Sequence, residues 1–174
     1  MSNSLAFPDS EVEEMVVSGL GDVFKTMLQS TVALESCKRI EPGGDSSSPL
    51  SQLDDTLVVG NVGFVGTISG MVYIATPEKL AKEIAKRMLG MDEADIDGEH
   101  EMINDVIGEI TNMSVGAYKN QMADKGYPCR LTIPSIIRGK YFVVESADAA
   151  FRQIYSFTFK DLPFTFELIM KPGD

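Results

Sequence analysis

A chain of 174 residues with 44 % apolar content is long enough to bury a core within one domain, and residues 1–174 are expected to form one. Its 26 acidic and 15 basic residues leave a formal charge of −11, which disfavours nucleic acid and anionic lipid surfaces as partners. The start "MSNSLAFPDSE" has no basic segment before an apolar run, and no stretch of about 18 apolar residues occurs, so a cytoplasmic protein is expected.

Residues 1–9 read as a frayed start. Asp9 and Ser10 offer an N-cap for a first helix over 11–30, whose apolar residues Met15, Leu20, Phe24, Met27 and Leu28 follow a helical period. "TVALESCKRI" reads as a strand. The Gly, Pro and Ser of "EPGGDSSSPLSQLDD" mark residues 41–55 as a floppy surface loop. "TLVVGNVGFVGTISGMVYIAT" reads as two strands joined by a turn near Gly66–Gly70. Its glycines lack the phosphate-loop pattern and lead into a strand, so nucleotide binding is not expected there.

Pro77 opens a second helix, with Leu80, Ile84 and Met88 as its apolar ridge and Gly90 as its C-cap. "MDEADIDG" reads as an acidic link. A long helix follows over about 98–124, then four strands: "CRLTIPSIIRG", "KYFVVES", "FRQIYSFTF" and "FTFELIMK". This order predicts an α+β fold with a single mostly antiparallel sheet and helices packed on one face. Cys37 and Cys129 form no C-x-x-C pair or zinc spacing and are expected as reduced thiols in or near the core.

The long helix contains "DVIGEITNMSVGAYKNQM". At about 100° per residue, Asp105, Glu109, Asn112 and Gly116 fall within about 60° of arc. Ile103, Val106, Ile107, Ile110 and Ala117 cluster on the opposite side, which should pack on the sheet. The polar stripe lacks the Glu–Lys pairs usual on solvated helices. Gly108 and Gly116 each cost about 1 kcal/mol relative to alanine in a helix interior. The physical pattern is a docking face with polar probes flanked by small residues.

A weak internal repeat accompanies it. "DVFKTMLQ" in the first helix parallels "DVIGEITN", placing Asp22 with Asp105, Thr26 with Glu109 and Gln29 with Asn112. "EADIDGEHEMIN" has calcium-loop acids, but Asn104 stands where a bidentate Glu is needed. The sole histidine, His100, has no nucleophile partner in sequence.

The ordered set of an acid, Glu109, Asn112 and then Pro134, with 21 residues between the last two, resembles the signature of the CheC/CheX/FliY phosphatases of bacterial chemotaxis. "VFKTML", "VVGNVGFVGTISGMVYIAT" and "LAKEIAKRMLG" extend the resemblance over most of the chain, and the single complete motif is similar to the CheX pattern. The resemblance implies a CheC-like fold and hydrolysis of the aspartyl phosphate of a CheY-like response-regulator receiver. It implies Glu109 and Asn112 as catalytic residues, one holding a receiver lysine and the other orienting water. Asp105, Gly108 and Gly116 would then contact the partner. It implies no cofactor on this chain, Mg2+ on the receiver, and a homodimer joined through sheet edges. The competing expectation is a non-catalytic adaptor that binds a receiver or a flagellar switch protein through the same helix.

Overall fold

The computed structural model describes residues 5, 7–146, 149 and 151–173. In chain order these form α1 (Asp9–Leu28), β1 (Ala33–Arg39), a 3-10 turn (Pro49–Gln52), β2 (Leu57–Gly66), β3 (Ile68–Pro77), α2 (Glu78–Leu89), α3 (Glu93–Ile96) and α4 (His100–Asp124). Strands β4 (Cys129–Leu131), β5 (Ser135–Gly139), β6 (Phe151–Phe159) and β7 (Leu162–Pro172) complete the chain.

The strands make one sheet in the order β1-β6-β7-β3-β2, with β4 and β5 following each other along the outer side of β2. Each pairing is antiparallel. The α+β expectation is met. The order also shows the repeat as topology. A helix followed by three strands (α1, β1, β2, β3) recurs as α4, β4/β5, β6 and β7, with α2 and α3 between. In the sheet, β3 and β7 share the centre, β2 and β6 flank them, and β1 and β4/β5 lie at the edges.

The helices cover one sheet face. Val58, Val62 and Phe64 of β2, Val72 and Ile74 of β3, and Phe164, Phe166 and Leu168 of β7 meet Leu20, Phe24, Ile103, Ile107 and Tyr118 in one buried cluster. Gly19 lets α1 and α4 cross closely, because a Cβ there would stand 3.3 Å from the Ala117 Cβ. Gln121 Nε2 donates to the Met15 carbonyl at 3.0 Å across the same crossing.

The opposite face is closed by loops, which corrects the reading of residues 41–55. That segment contains the 3-10 turn, and its Leu50 is buried with Leu57, Val59 and Ala75. Arg152 ties the closure to the sheet. Its Nε and Nη2 donate to Glu167 at 2.8 and 2.7 Å, and its other contacts are Ser46 Oγ and the Val144 carbonyl.

Other sequence expectations need correction. "KYFVVES" forms no strand: Tyr141 is left-handed at φ 56°, and Phe142 folds back against Tyr73 with ring centroids 6.4 Å apart. "CRLTIPSIIRG" divides because two residues of β2, Val62 and Gly63, face three, Thr132, Ile133 and Pro134, in a bulge. The acidic link contains α3, held by the buried Ile96. Helix α1 begins one residue after Pro8, and Asp9 accepts from Arg39 and Gln153 rather than capping. The expected frayed start lies partly outside the described residues; within them, Phe7 is buried and meets Tyr127 edge-on at 4.8 Å. Cys129 is buried as expected, but Cys37 is exposed on β1. Desolvation and the carboxylates of Glu13 and Asp9 push its thiol up to about 11, against Arg39.

Candidate functional site: the outer face of helix α4

Neighbours on β2, β5 and α1 set the roll of α4. On β2, Gly60 lies directly beneath Thr111: a Cβ there would fall 2.0 Å from Thr111 Oγ1. That hydroxyl donates to the Ile107 carbonyl at 2.7 Å, and Ser114 does the same to Ile110 at 2.7 Å. Such back-bonds satisfy buried hydroxyls within the helix. On the flank, Gly108 faces Ile136 of β5, whose Cδ1 lies 3.8 Å from where a Cβ would stand. On the other side Gly19 approaches Ala117.

With the helix fixed in this way, Ile103, Val106, Ile107 and Ile110 are buried. Asp105 and Glu109 are exposed, and Asn112, Gly108 and Gly116 are half-buried. The structure therefore brings all five sequence-predicted residues onto one side of α4. Among the described residues, none forms a hydrogen bond or ion pair with the side chains of Asp105, Glu109 or Asn112. Nothing lies within 4 Å of a Cβ at Gly116, and Gly108 has only ordinary van der Waals neighbours. Packing among the described residues thus gives no reason for either glycine. Pro134 ends the bulge beside β2, half-buried, and Ile133 before it is 90 % exposed.

Asp105 and Glu109 on this face stand open to solvent. A cavity of about 590 Å³ opens elsewhere, between Arg39, Gly43, Gly44, Glu145 and Arg152. Small-molecule sites are concave, so an exposed helix face suits a macromolecular partner better. Among the described residues, no group of three or more His, Cys, Asp or Glu is placed to hold a metal ion. No helix among them is long and apolar enough to cross a membrane.

Helix α1 does not repeat the arrangement. Asp22 and Thr26 are exposed, but the helix ends at Leu28, and Gln29 is its left-handed C-cap at φ 51°. The residue aligned with Asn112 therefore stands past the last helical turn.

Sequence reasoning missed a polar cluster beside the face. Arg138 of β5 donates through Nε to Asn104 Oδ1 at 2.6 Å and through Nη1 to Glu78 Oε1 at 3.0 Å. His100 Nε2 also approaches Glu78 Oε1, at 3.5 Å. Alternation on β5 could have placed Arg138 on the helix side with Ile136, but no local pattern reveals its partners.

An open antiparallel sheet made of two helix-plus-three-strand halves, with helices on one face, places the chain in the CheC-like class of α+β folds. The chain belongs to the chemotaxis phosphatase CheX family, which it matches over residues 58–159. The similar solved structures bear out the architecture. A CheC-like superfamily protein from Shewanella sp. PV-4 is 26 % identical, with 92 % of this chain and 97 % of that chain covered and a TM-score of 0.74. Chemotaxis protein CheX from Vibrio vulnificus is 24 % identical, with 92 % and 99 % covered and a TM-score of 0.74. The CheX of a CheX–CheY–BeF3–Mg2+ complex from Borrelia burgdorferi is 19 % identical, with 94 % and 98 % covered and a TM-score of 0.69. No curated protein matches the chain in sequence.

Proposed function

We propose that this chain is a phosphatase for the aspartyl phosphate of a CheY-like receiver, working through the outer face of α4. The observation that carries the reading is the placing of Glu109 and Asn112 on adjacent turns, without hydrogen-bond or ion-pair partners among the described residues and flanked by glycines that packing among those residues does not require. Family membership supports it, as does the Borrelia complex, in which a CheX is bound to CheY with BeF3, a stand-in for the phosphoryl group, and Mg2+.

An acyl phosphate is already activated, so the catalyst's work is positioning and charge stabilisation. Asn112 inserts beside the phosphoryl group. Its carboxamide accepts one hydrogen bond from the attacking water and donates another, aiming the oxygen in line with the bond to be broken. The water oxygen bonds to phosphorus as the P–O bond to the receiver aspartate breaks. The water proton passes to phosphate or solvent, leaving inorganic phosphate and a free carboxylate. Glu109 pairs with a receiver lysine and fixes the register of Asn112. Asp105 docks on the receiver rim, and Gly108 and Gly116 admit its surface. The receiver would hold the Mg2+, which would supply charge neutralisation for its phosphoryl group.

We place the activity in the cytoplasm, in one domain spanning the chain, and in a homodimer joined through the β4/β5 edge. Exposed Ile133 and Ile137 on that edge offer apolar surface for a second copy to cover.

The test is the decay of phosphorylated receiver with and without the purified protein. Wild type should accelerate it, and Asn112→Ala should lose the acceleration while keeping its circular dichroism spectrum. Wild-type activity in Asn112→Ala would overturn the assignment. Receiver binding without accelerated decay by wild type would make the protein an adaptor.

A further inference from the structure

We propose that Arg138 is a positioning residue for this reaction, acting on Glu109 and Asn112 through Asn104; the inference rests on the phosphatase reading above. Ile136 and Arg138 are two residues apart on β5, opposite Gly60 and Val58 of β2 and on the helix side of the sheet. Their partners on α4, Gly108 and Asn104, are four residues apart. Two strand residues advance about 6.6 Å and four helical residues about 6.0 Å, so the edge strand and the helix can meet at both points in register.

The two contacts differ in kind. Gly108 against Ile136 is non-directional and would tolerate a small roll or slide of the helix. The Arg138 Nε to Asn104 Oδ1 bond, at 2.6 Å, is directional and charge-assisted. Its other arm reaches Glu78, in the first turn of α2, so the guanidinium joins β5, α2 and α4. Asn104 directly precedes Asp105, the start of the outer face, and Gly108 directly precedes Glu109. A roll that broke the Arg138 bond would swing the whole stripe. Arg138 Nη2 is buried without a hydrogen-bond partner among the described residues, which is destabilising in itself. Stability alone therefore does not account for an arginine at this point.

The test measures kcat and KM for dephosphorylation, over a range of phosphorylated-receiver concentrations, by wild type, Arg138→Met, Asn104→Ala, Asn104→Asp and the Arg138→Met, Asn104→Ala double variant. Arg138→Met and Asn104→Ala should each lower kcat about tenfold with KM within about twofold, because alignment in the transition state suffers more than docking. The double variant should be no worse than Arg138→Met. Asn104→Asp, which keeps the acceptor oxygen, should restore most of kcat. A kcat within about twofold of wild type in Asn104→Ala, or an Asn104→Asp as poor as Asn104→Ala, would overturn the proposal. If Arg138→Met does not fold, the Asn104 pair decides alone. If wild type itself does not accelerate decay, the phosphatase reading falls, and amide exchange across residues 104–112 decides the positioning instead. Faster exchange in Asn104→Ala but not in Asn104→Asp supports it, and equal exchange in all variants refutes it.

Discussion

Gly60 on β2 and Thr111 on α4 are in a contact that leaves no room for a side chain on the strand: a Cβ on Gly60 would lie 2.0 Å from Thr111 Oγ1 and 2.9 Å from Thr111 Cβ. Gly60→Ala should therefore lift α4 and destabilise the protein by about 1–3 kcal/mol, the usual cost of overpacking. Urea denaturation measures it. Adding Thr111→Ala removes the nearest atom, so the double variant should be less destabilised than the sum of the singles. Strict additivity would mean the two residues do not share this contact.

Gly116 separates stability from function. A methyl group there meets open space, and alanine suits a helix interior better than glycine by about 1 kcal/mol. Gly116→Ala should raise the melting temperature and yet raise the KM for phosphorylated receiver at least severalfold. A stabilised variant with unchanged KM would remove Gly116 from the docking surface.

Completing the motif on α1 should not create a second site. Thr26→Glu with Gln29→Asn supplies the missing groups, but residue 29 sits at a left-handed C-cap rather than on a helical turn. In an Asn112→Ala background the double change should restore no dephosphorylation. Recovered activity would show that the helix end can rearrange to present the amide.

The buried pair on the far face predicts a pH-dependent loss. Burial raises the pKa of Glu167 while the charge and hydrogen bonds of Arg152 lower it. Arg152→Met removes the opposing influence, so the folded-state pKa should climb further above its unfolded value. A carboxyl raised in the folded state stabilises below the unfolded pKa, and that stability is lost as pH rises through the folded pKa. Arg152→Met should thus be damaged by about 3–5 kcal/mol near neutral pH and less in mild acid. Denaturant titrations at pH 5 and pH 8 check the sign. Adding Glu167→Leu should recover part of the loss and flatten the pH dependence.

Most of the elements were legible because their apolar periods are long and coincide with burial. The stripe on α4 was legible for the same reason: Asp105 and Glu109 are exposed where a helical period puts them, opposite Ile103 and Ile107. What escaped depends on contacts distant in sequence. "KYFVVES" has strand composition, but left-handed Tyr141 and the docking of Phe142 on Tyr73 override propensity. The polar loop looked unanchored because nothing local shows Leu50 entering a cluster with Val59 and Ala75. The glycines of β2 were set aside as a phosphate loop, but the reason for Gly60 shows only in its approach to Thr111, 51 positions away. Arg138 and Asn104 are linked only through the fold.

The two ends of the sheet differ in the side chains they expose. On the β4/β5 rim Ile133 and Ile137 reach solvent, whereas β1 ends the sheet with Glu35, Ser36 and Cys37 exposed. In the homodimer proposed above, the apolar β4/β5 rim rather than the polar β1 rim would carry the contact. A body with one adhesive end can form a closed two-fold pair but not an open chain of subunits.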